Sequence, residues 1–294
     1  MAITHVDHVL ILVPDLDQAA ETYERLGFHI TEGGEHPGRG TANRLAVLDS
    51  GYLELIAVRD RNAAWPELVR HLDRHGPGLF TFAFASNDLD ADAAAFKARA
   101  ASGVTNLAIE EPREGALVTP GGNRRGWRSA HVSGGEGANP FLIQHDSAGE
   151  ELRRRLFGDR PPQPHPLGYG HIDRLEVVFP SLAVGESYFR DGYGLRREGE
   201  PSVCPSRQGD RIFFPLTVGR LEVIAPNSPD SPLQDFAAKR GYGLRGVVLT
   251  VPDTDEAASA LKNRGVRFTR SQVTGAVQID PDDALGARLI LIKG

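Results

Sequence analysis

Apolar and polar positions follow a recurring order in this chain: a strand, an amphipathic helix, then further strands. In the first copy, residues 5–13 alternate as a strand does, residues 16–26 have helical spacing, and residues 51–56 form a last strand. The first strand places His8 and Leu10 on one face and Val9 and Ile11 on the other. A helix is expected to cover the face without the histidine, which leaves the His8 face free to line a cavity.

The order returns three more times, marked by a polar residue at the turn that follows each first strand. These turn residues are Asp15, Asp88, Ser181 and Asp253. Asp and Ser cap helices well, so we predict helices over residues 16–26, 89–101, 182–193 and 254–264. A glycine follows each predicted helix, at 27, 103, 194 and 265, as a C-terminal stop.

The spacing of the copies predicts two domains with two copies each. The first two turns lie 73 residues apart and the last two 72, with a longer gap of 93 between the pairs. That gap contains a proline-rich stretch at residues 161–166, which favours an extended connector. We therefore predict domains at residues 1–158 and 170–294, joined by a linker at 159–169.

Three segments of the first copy carry a family resemblance. They are the phrase from His5 to Leu16, the helix end Leu26-Gly27-Phe28, and the strand Leu53-Glu54-Leu55-Ile56. Together they resemble the vicinal oxygen chelate superfamily, which includes glyoxalase I, extradiol dioxygenases, fosfomycin-resistance proteins and methylmalonyl-CoA epimerase. Residues 33–43 resemble more narrowly the glyoxalase-like domain family.

The resemblance implies an α+β fold of four βαβββ modules. The modules would pair into two cup-shaped mixed β-sheet domains with the helices on the outer face. It also implies that metal ligands, where present, come from the first and last strands of each module. In the first cup these positions are His8, Glu54, Thr81 and Gln144.

His8, Glu54 and Gln144 are accordingly the candidate ligands of one divalent metal, with Zn, Ni, Mn, Fe or Co as candidates. The alternative is a hydrogen-bonded pair of His8 and Glu54 in a pocket without metal. Under either interpretation, Glu54 and His8 are the candidate catalytic residues. In the second cup the matching positions are Arg174, Glu222 and Gly246, which predict an ion pair in place of a metal site.

Further residues are candidates for binding a substrate. Arg39 and Asn43 lie in a predicted glycine-rich loop between two strands and have side chains suited to a carboxylate, phosphate or carbonyl. Trp127 would wall the cavity, and Thr81 and Gln144 would face it. The alternatives are solvated loop side chains for Arg39 and Asn43 and core packing for Trp127.

Composition narrows the function further. The chain has 294 residues, a net charge of −6 and a single cysteine, Cys204. We expect no nucleic-acid partner, no membrane partner and a cytoplasmic location, with the protein acting as a monomer or homodimer. Phosphate-loop, dinucleotide-binding and serine-hydrolase motifs do not occur.

The most favoured function is a glyoxalase-like enzyme of lyase or isomerase type. It would act on a small carbonyl-containing molecule in the first cup, with or without a metal. Ring-cleaving dioxygenase chemistry is less favoured, because its two-histidine, one-carboxylate site is incomplete here. The alternative function is a protein that sequesters a hydrophobic small molecule, for which a cavity with small inner residues is equally suited.

Overall fold

A computed structural model describes residues 3–135 and 137–294, which contain seven α-helices and eighteen β-strands. The helices are α1 (Leu16–Arg25), α2 (Pro66–His75), α3 (Leu89–Ala101), α4 (Gly149–Leu156), α5 (Leu182–Ser187), α6 (Pro232–Arg240) and α7 (Thr254–Asn263). None of these helices combines the length and apolar character needed to cross a bilayer.

The first ten strands precede residue 146. They are β1 (Ile3–Leu12), β2 (Gly34–His36), β3 (Thr41–Val47), β4 (Tyr52–Val58), β5 (Gly78–Ser86), β6 (Ala108–Ile109), β7 (Arg113–Val118), β8 (Arg124–Ala130), β9 (Val132–Ser133) and β10 (Phe141–His145). The remaining eight are β11 (Ile172–Val178), β12 (Glu198–Cys204), β13 (Gly209–Pro215), β14 (Arg220–Pro226), β15 (Gly243–Val251), β16 (Phe268–Arg270), β17 (Val277–Ile279) and β18 (Leu289–Lys293).

Two eight-stranded sheets share one strand order. The first runs β1-β4-β3-β2-β7-β8-β10-β5 and closes on itself, and the second runs β12-β13-β14-β11-β15-β18-β17-β16 and stays open. In each module the first strand is parallel to the last, as β1 is to β4 and β5 is to β10. The pairing of β2 with β7 closes the first sheet. The predicted α+β fold of paired modules with cup-shaped sheets is confirmed.

The helix boundaries follow the predicted caps closely. Side chains of Asp15, Asp88, Ser181 and Asp253 each accept a hydrogen bond from a backbone N–H in the first helical turn. The four predicted stop glycines all have positive φ, between +68° and +89°. The third helix is shorter than predicted, because α5 ends at Ser187 and one π-helical turn, Tyr188–Gly192, continues it.

Residues on the two faces of β1 pack in two different apolar clusters, as the alternation predicts. Val9 and Ile11 pack in the same core cluster as Tyr23 of α1. Leu10 packs instead with Ile56 and other residues on the concave side of the first sheet. Strict alternation would place Phe80 beneath the helix with Phe82 and Phe84, but it packs on the concave side against Trp65. A register shift between Leu10 and Ile11 in the pairing of β1 with β5 accounts for this difference.

The segment between α4 and β11 packs closely against the first sheet. Tyr169 stacks on Phe28 with a ring separation of 3.9 Å, and its hydroxyl donates to the carbonyl of Leu26. One cluster of buried apolar residues runs through both halves of the chain. The division at residues 158 and 170 therefore stays a prediction from the sequence.

Candidate active site

A cavity of about 580 Å³ lies on the concave side of the first sheet. Its polar residues include His8, Asn43, Glu54 and Arg125, and its apolar wall includes Trp127 and Phe141. Cavities of this size and mixed lining are typical of small-molecule sites.

His8 and Glu54 face each other at the base of the cavity. Strands β1 and β4 are neighbours, and Nε2 of His8 lies 3.4 Å from Oε2 of Glu54. The His8 ring stacks on Tyr52 with a centroid separation of 4.6 Å. Both His8 and Glu54 are more than nine-tenths buried, so their orientation is fixed by packing as well as by polar contacts.

The other nitrogen of His8 is held by its chain neighbour. Nδ1 of His8 donates to Oδ1 of Asp7 at 2.6 Å. Adjacent residues of a regular strand point to opposite faces, but β1 has a register shift between Val6 and His8 that lets the two side chains meet. His145 of β10 donates to the same Asp7 oxygen at 3.2 Å.

Asp7 is a buried carboxylate with two imidazole partners. Burial alone would raise the pKa of Asp7, but His145 and His8 hold it well below the ordinary value. Asp7 is therefore ionised at neutral pH. It fixes a proton on Nδ1 of His8, which leaves Nε2 to interact with Glu54.

The side-chain amide of Asn43 orients the second carboxylate oxygen of Glu54. Nδ2 of Asn43 donates to Oε1 of Glu54 at 2.6 Å and also contacts Nε2 of His36 at 3.2 Å. Because the Asn43 amide donates to Nε2 of His36, the proton of this histidine lies on Nδ1, 2.8 Å from the hydroxyl of Thr41. Burial lowers the pKa of His36 to about 4, although Glu54 opposes the shift. His36 is therefore neutral at pH 7.

Arg125 brings a positive charge into the same cavity. The residue is only 4% exposed, and its guanidinium carbon lies 6.0 Å from the ring centroids of both Tyr52 and Trp127. Its Nε has no hydrogen-bond partner among the described residues. Trp127 itself meets the ring of His36 edge-on at 5.8 Å.

The sequence-predicted site residues separate into two groups. His8, Glu54, Arg39, Asn43 and Trp127 all line the cavity. Arg39 and Asn43 do not lie in one loop, as was expected, because β2 and β3 form a hairpin whose turn contains Arg39 while Asn43 lies within β3. The guanidinium of Arg39 donates to the carbonyl of Glu114 at 2.6 Å.

Thr81 and Gln144 form the second group, since the described lining of the cavity does not include them. The hydroxyl of Thr81 donates to the carbonyl of Ala138 at 2.6 Å. Gln144 shares the outer face of β10 with Leu142, and its amide binds the backbone of Asn87 and Leu89 at the start of α3. Alternation along β10 thus turns Gln144 away from the cavity.

The predicted metal ligands are consequently not brought together. No group of three His, Cys, Asp or Glu side chains suited to a metal occurs in the described ranges. His8 and Glu54 alone fall short of the three protein ligands that catalytic zinc usually has. The set of His8, Glu54 and Gln144 does not fit a metal site.

The second cup contains a network of charges where the first contains a cavity. The predicted pair forms, with Nε of Arg174 donating to Oε2 of Glu222 at 2.9 Å. Glu222 and Glu176 are both fully buried. Arginines that contact one or both glutamates are Arg174, Arg207, Arg211, Arg245 and Arg288. Burial and the nearby Arg245 lower the pKa of Arg288 to about 10.

Sequence reasoning missed two residues that the structure places at the site. Asp7 meets His8 only because of the irregularity in β1, for which the sequence has no clear signal. Arg125 had a usable signal, because it precedes Trp127 by two residues on one strand. Placing Trp127 on the cavity wall places Arg125 there too.

Comparison with known proteins identifies the family to which this fold belongs. The family model of the glyoxalase-like domain matches residues 6–184, more than half of the chain. The chain therefore belongs to the glyoxalase-like domain family, within the vicinal oxygen chelate superfamily.

Individual relatives are more distant. Mitochondrial methylmalonyl-CoA epimerase from Bos taurus is 25% identical over 100 residues, which cover 34% of this chain and 57% of the relative. The chain thus spans about half the length of the curated relatives it matches.

Two solved structures share the overall fold. A hypothetical protein from Staphylococcus aureus matches with a TM-score of 0.66 and 13% identity, over 98% of this chain and 99% of the other. A mutant of 4-hydroxymandelate synthase from Streptomyces coelicolor matches with a TM-score of 0.65 and 15% identity, over 100% of this chain and 93% of the other.

Proposed function

We propose that the protein is an acid–base enzyme of isomerase or lyase type that acts on a small carbonyl compound in the cavity of the first sheet. The observation that carries the proposal is the pairing of Glu54 with His8, 3.4 Å apart in a buried cavity. A carboxylate fixed beside an imidazole can remove a proton from carbon and exchange it.

Glu54 is the proposed base. Its carboxylate takes a proton from the carbon next to the carbonyl of the substrate, forming an O–H bond as the C–H bond breaks. The electron pair of that C–H bond forms a C=C bond, and the π pair of the carbonyl moves to its oxygen, which gives an enolate. Return of a proton to the opposite face of the same carbon completes an epimerisation, whereas loss of a leaving group from the neighbouring carbon completes an elimination.

His8 is the proposed partner that positions Glu54 and exchanges protons with it. Asp7 holds the Nδ1 proton of His8, so that Nε2 faces Oε2 of Glu54. Asn43 fixes the opposite oxygen of Glu54 at 2.6 Å. Because both oxygens are restrained, little reorganisation is needed when the carboxylate takes up a proton.

The family comparisons support a small-molecule enzyme. Methylmalonyl-CoA epimerase is by name an enzyme that inverts a stereocentre. Separately, residues 6–184, which the family model matches, include His8 and Glu54. The proposed chemistry needs only side chains that the cavity contains, and no step passes through a metal.

Sequestration of a hydrophobic molecule is the second candidate. Leu10, Ile56, Phe141 and Ile143 form an apolar wall in the cavity, which favours binding of an apolar body whether or not a reaction follows. Binding alone does not explain why a carboxylate and an imidazole are both buried at its base.

Proton exchange in deuterium oxide separates the two candidates. The protein is incubated with a panel of 2-oxo carboxylates, 3-oxo carboxylates and acyl thioesters, and deuterium on carbon is measured by mass spectrometry. Catalysed exchange that Glu54→Gln abolishes supports the enzyme. The matched control is Glu35→Gln, since Glu35 is exposed on β2 and should leave the exchange rate unchanged.

Two outcomes would contradict the proposal. One is exchange that persists in Glu54→Gln at the wild-type rate. The other is tight binding of a panel compound with no exchange above the uncatalysed rate, which would favour sequestration.

A further inference from the structure

Arg125 is a buried cation with no counter-charge of its own. The residue is 4% exposed, and none of the described carboxylates lies within 4.0 Å of its guanidinium nitrogens. Its Nε has no hydrogen-bond partner among the described residues. Nearly all buried charges in folded proteins are paired, so an unpaired one facing a cavity requires a partner from outside the chain.

The surroundings of Arg125 hold the guanidinium in place without neutralising it. The rings of Tyr52 and Trp127 both lie 6.0 Å from its central carbon, close enough for a weak cation–π attraction. Two aromatic planes restrain the side chain while leaving its donor edge unbonded. This arrangement keeps a planar set of N–H donors available to a ligand.

The charges of the cavity lining indicate which kind of anionic group suits Arg125. A carboxylate has one negative charge and accepts two parallel hydrogen bonds from an arginine. The described lining contains three arginines, Arg39, Arg113 and Arg125, and three glutamates, Glu54, Glu67 and Glu110, so a phosphate dianion would leave a larger surplus of negative charge in the cavity than a carboxylate would. A single carboxylate therefore matches Arg125 better than a phosphate does.

Tyr52 connects this arginine to the acid–base pair. The ring of Tyr52 stacks on the ring of His8 with a centroid separation of 4.6 Å, and it also lies beside the guanidinium of Arg125. The apolar wall formed by Leu10, Phe141 and Ile143 lines the same cavity. A small molecule with an apolar part can thus reach both Arg125 and Glu54.

We propose that Arg125 binds a carboxylate of the substrate, so that the substrate is a small carbonyl-containing carboxylic acid. This inference rests on the proposed function for the carbonyl and adds the carboxylate. Arg125 would fix one end of the molecule while Glu54 acts on a carbon further along it.

Binding of two matched probes tests the proposal without any turnover. Phenylacetate and phenylacetamide have nearly the same shape, but only the first is charged. Isothermal titration calorimetry should show that the wild-type protein prefers phenylacetate by about tenfold or more. Arg125→Gln should lose this preference and bind both probes about equally, and Arg125→Lys should keep part of it.

The neighbouring arginine provides the control. Arg124 is exposed on the same strand, so Arg124→Gln should keep the full preference for phenylacetate. Circular dichroism establishes that each variant is folded. Equal wild-type affinity for the two probes, no phenylacetate binding in the millimolar range, or an intact preference in Arg125→Gln would overturn the inference.

These results are independent of the isotope-exchange test. Glu54→Gln should abolish exchange but still bind phenylacetate in preference to the amide. If exchange depends on Glu54 while the two probes bind equally, the carboxylate inference fails and the acid–base function stands.

Discussion

Asp7 accepts a 2.6 Å hydrogen bond from His8, its immediate neighbour on strand β1. The contact depends on a local irregularity that brings two consecutive side chains together. With Asp7 at Nδ1 and Glu54 near Nε2, the imidazole of His8 lies between two carboxylates. The arrangement sets the tautomer of His8 and the direction in which it can move a proton.

Replacement of Asp7 by Asn should weaken catalysis without weakening ligand binding. The amide no longer fixes the proton on Nδ1 of His8 as the carboxylate does, so the rate of carbon-proton exchange should fall about tenfold or more. Affinity for phenylacetate should stay within about twofold, since Asp7 does not line the cavity. Proton NMR should show a low-field Nδ1–H resonance that is lost in both Asp7→Asn and His8→Ala. A low-field signal that survives in His8→Ala would contradict the assignment.

Stability should decrease in mild acid because of His36. Its pKa is about 4 when folded, through burial, against about 6.5 when unfolded. Between these values the unfolded chain binds the extra proton, so stability is full above pH 6.5 and falls as the pH drops toward 4. His36→Gln should reduce the slope by about 1.4 kcal/mol per pH unit in this window.

Urea unfolding at several pH values between 4.5 and 7.5 measures this slope. Three other histidines, the half-buried His71 and His131 and the buried His165, have similarly lowered pKa values and stay in the variant. The test is therefore the difference in slope between the two proteins. Parallel slopes would show that His36 does not stay neutral in the folded state.

Removal of the unpaired charge should stabilise the protein. Arg125→Met keeps most of the side-chain volume and removes a buried guanidinium without a counter-charge. The free energy of unfolding should stay equal or rise by about 1 kcal/mol or more. A stabilised variant that has lost its preference for phenylacetate identifies Arg125 as a binding residue. A loss of several kcal/mol would indicate instead that Arg125 has a structural role.

The glutamates of the second cup should behave in the opposite way. Glu176→Gln leaves Arg245 without its carboxylate partner and Arg207 with Glu222 alone, so the free energy of unfolding should fall by about 3 kcal/mol or more. Glu198→Gln is the exposed control and should change stability by less than about 0.5 kcal/mol. Equal effects of the two substitutions would mean that the network does not stabilise the second sheet.

The repeated helix caps explain why the fold was predictable from the sequence. Asp15, Asp88, Ser181 and Asp253 act through local hydrogen bonds, and local chemistry is visible in a single sequence. The placement of Val9 and Ile11 on one face of β1 and Leu10 on the other follows from alternation. The pairing of Arg174 with Glu222 was predictable because the two residues lie on one face of neighbouring strands, with Glu222 two residues beyond the register partner of Arg174.

The site was less predictable, because it depends on departures from regular structure and on contacts between distant strands. Asp7 reaches His8 only through the irregularity in β1. Gln144 was assigned to the wrong face of β10 because a shift of one residue in a short strand reverses the direction of every side chain. The sequence could not show that Arg125 lacks a partner. That depends on which of the chain's carboxylates the fold brings within contact distance of the guanidinium.

A crystal structure with phenylacetate bound tests the central claim most directly. We expect the carboxylate to accept hydrogen bonds of about 2.9 Å from the guanidinium of Arg125. The rest of the molecule should lie against the apolar wall, with its methylene carbon facing Glu54. A probe that binds elsewhere on the molecule, or binds in this cavity without contacting Arg125, would contradict the assignment of the cavity as the substrate site.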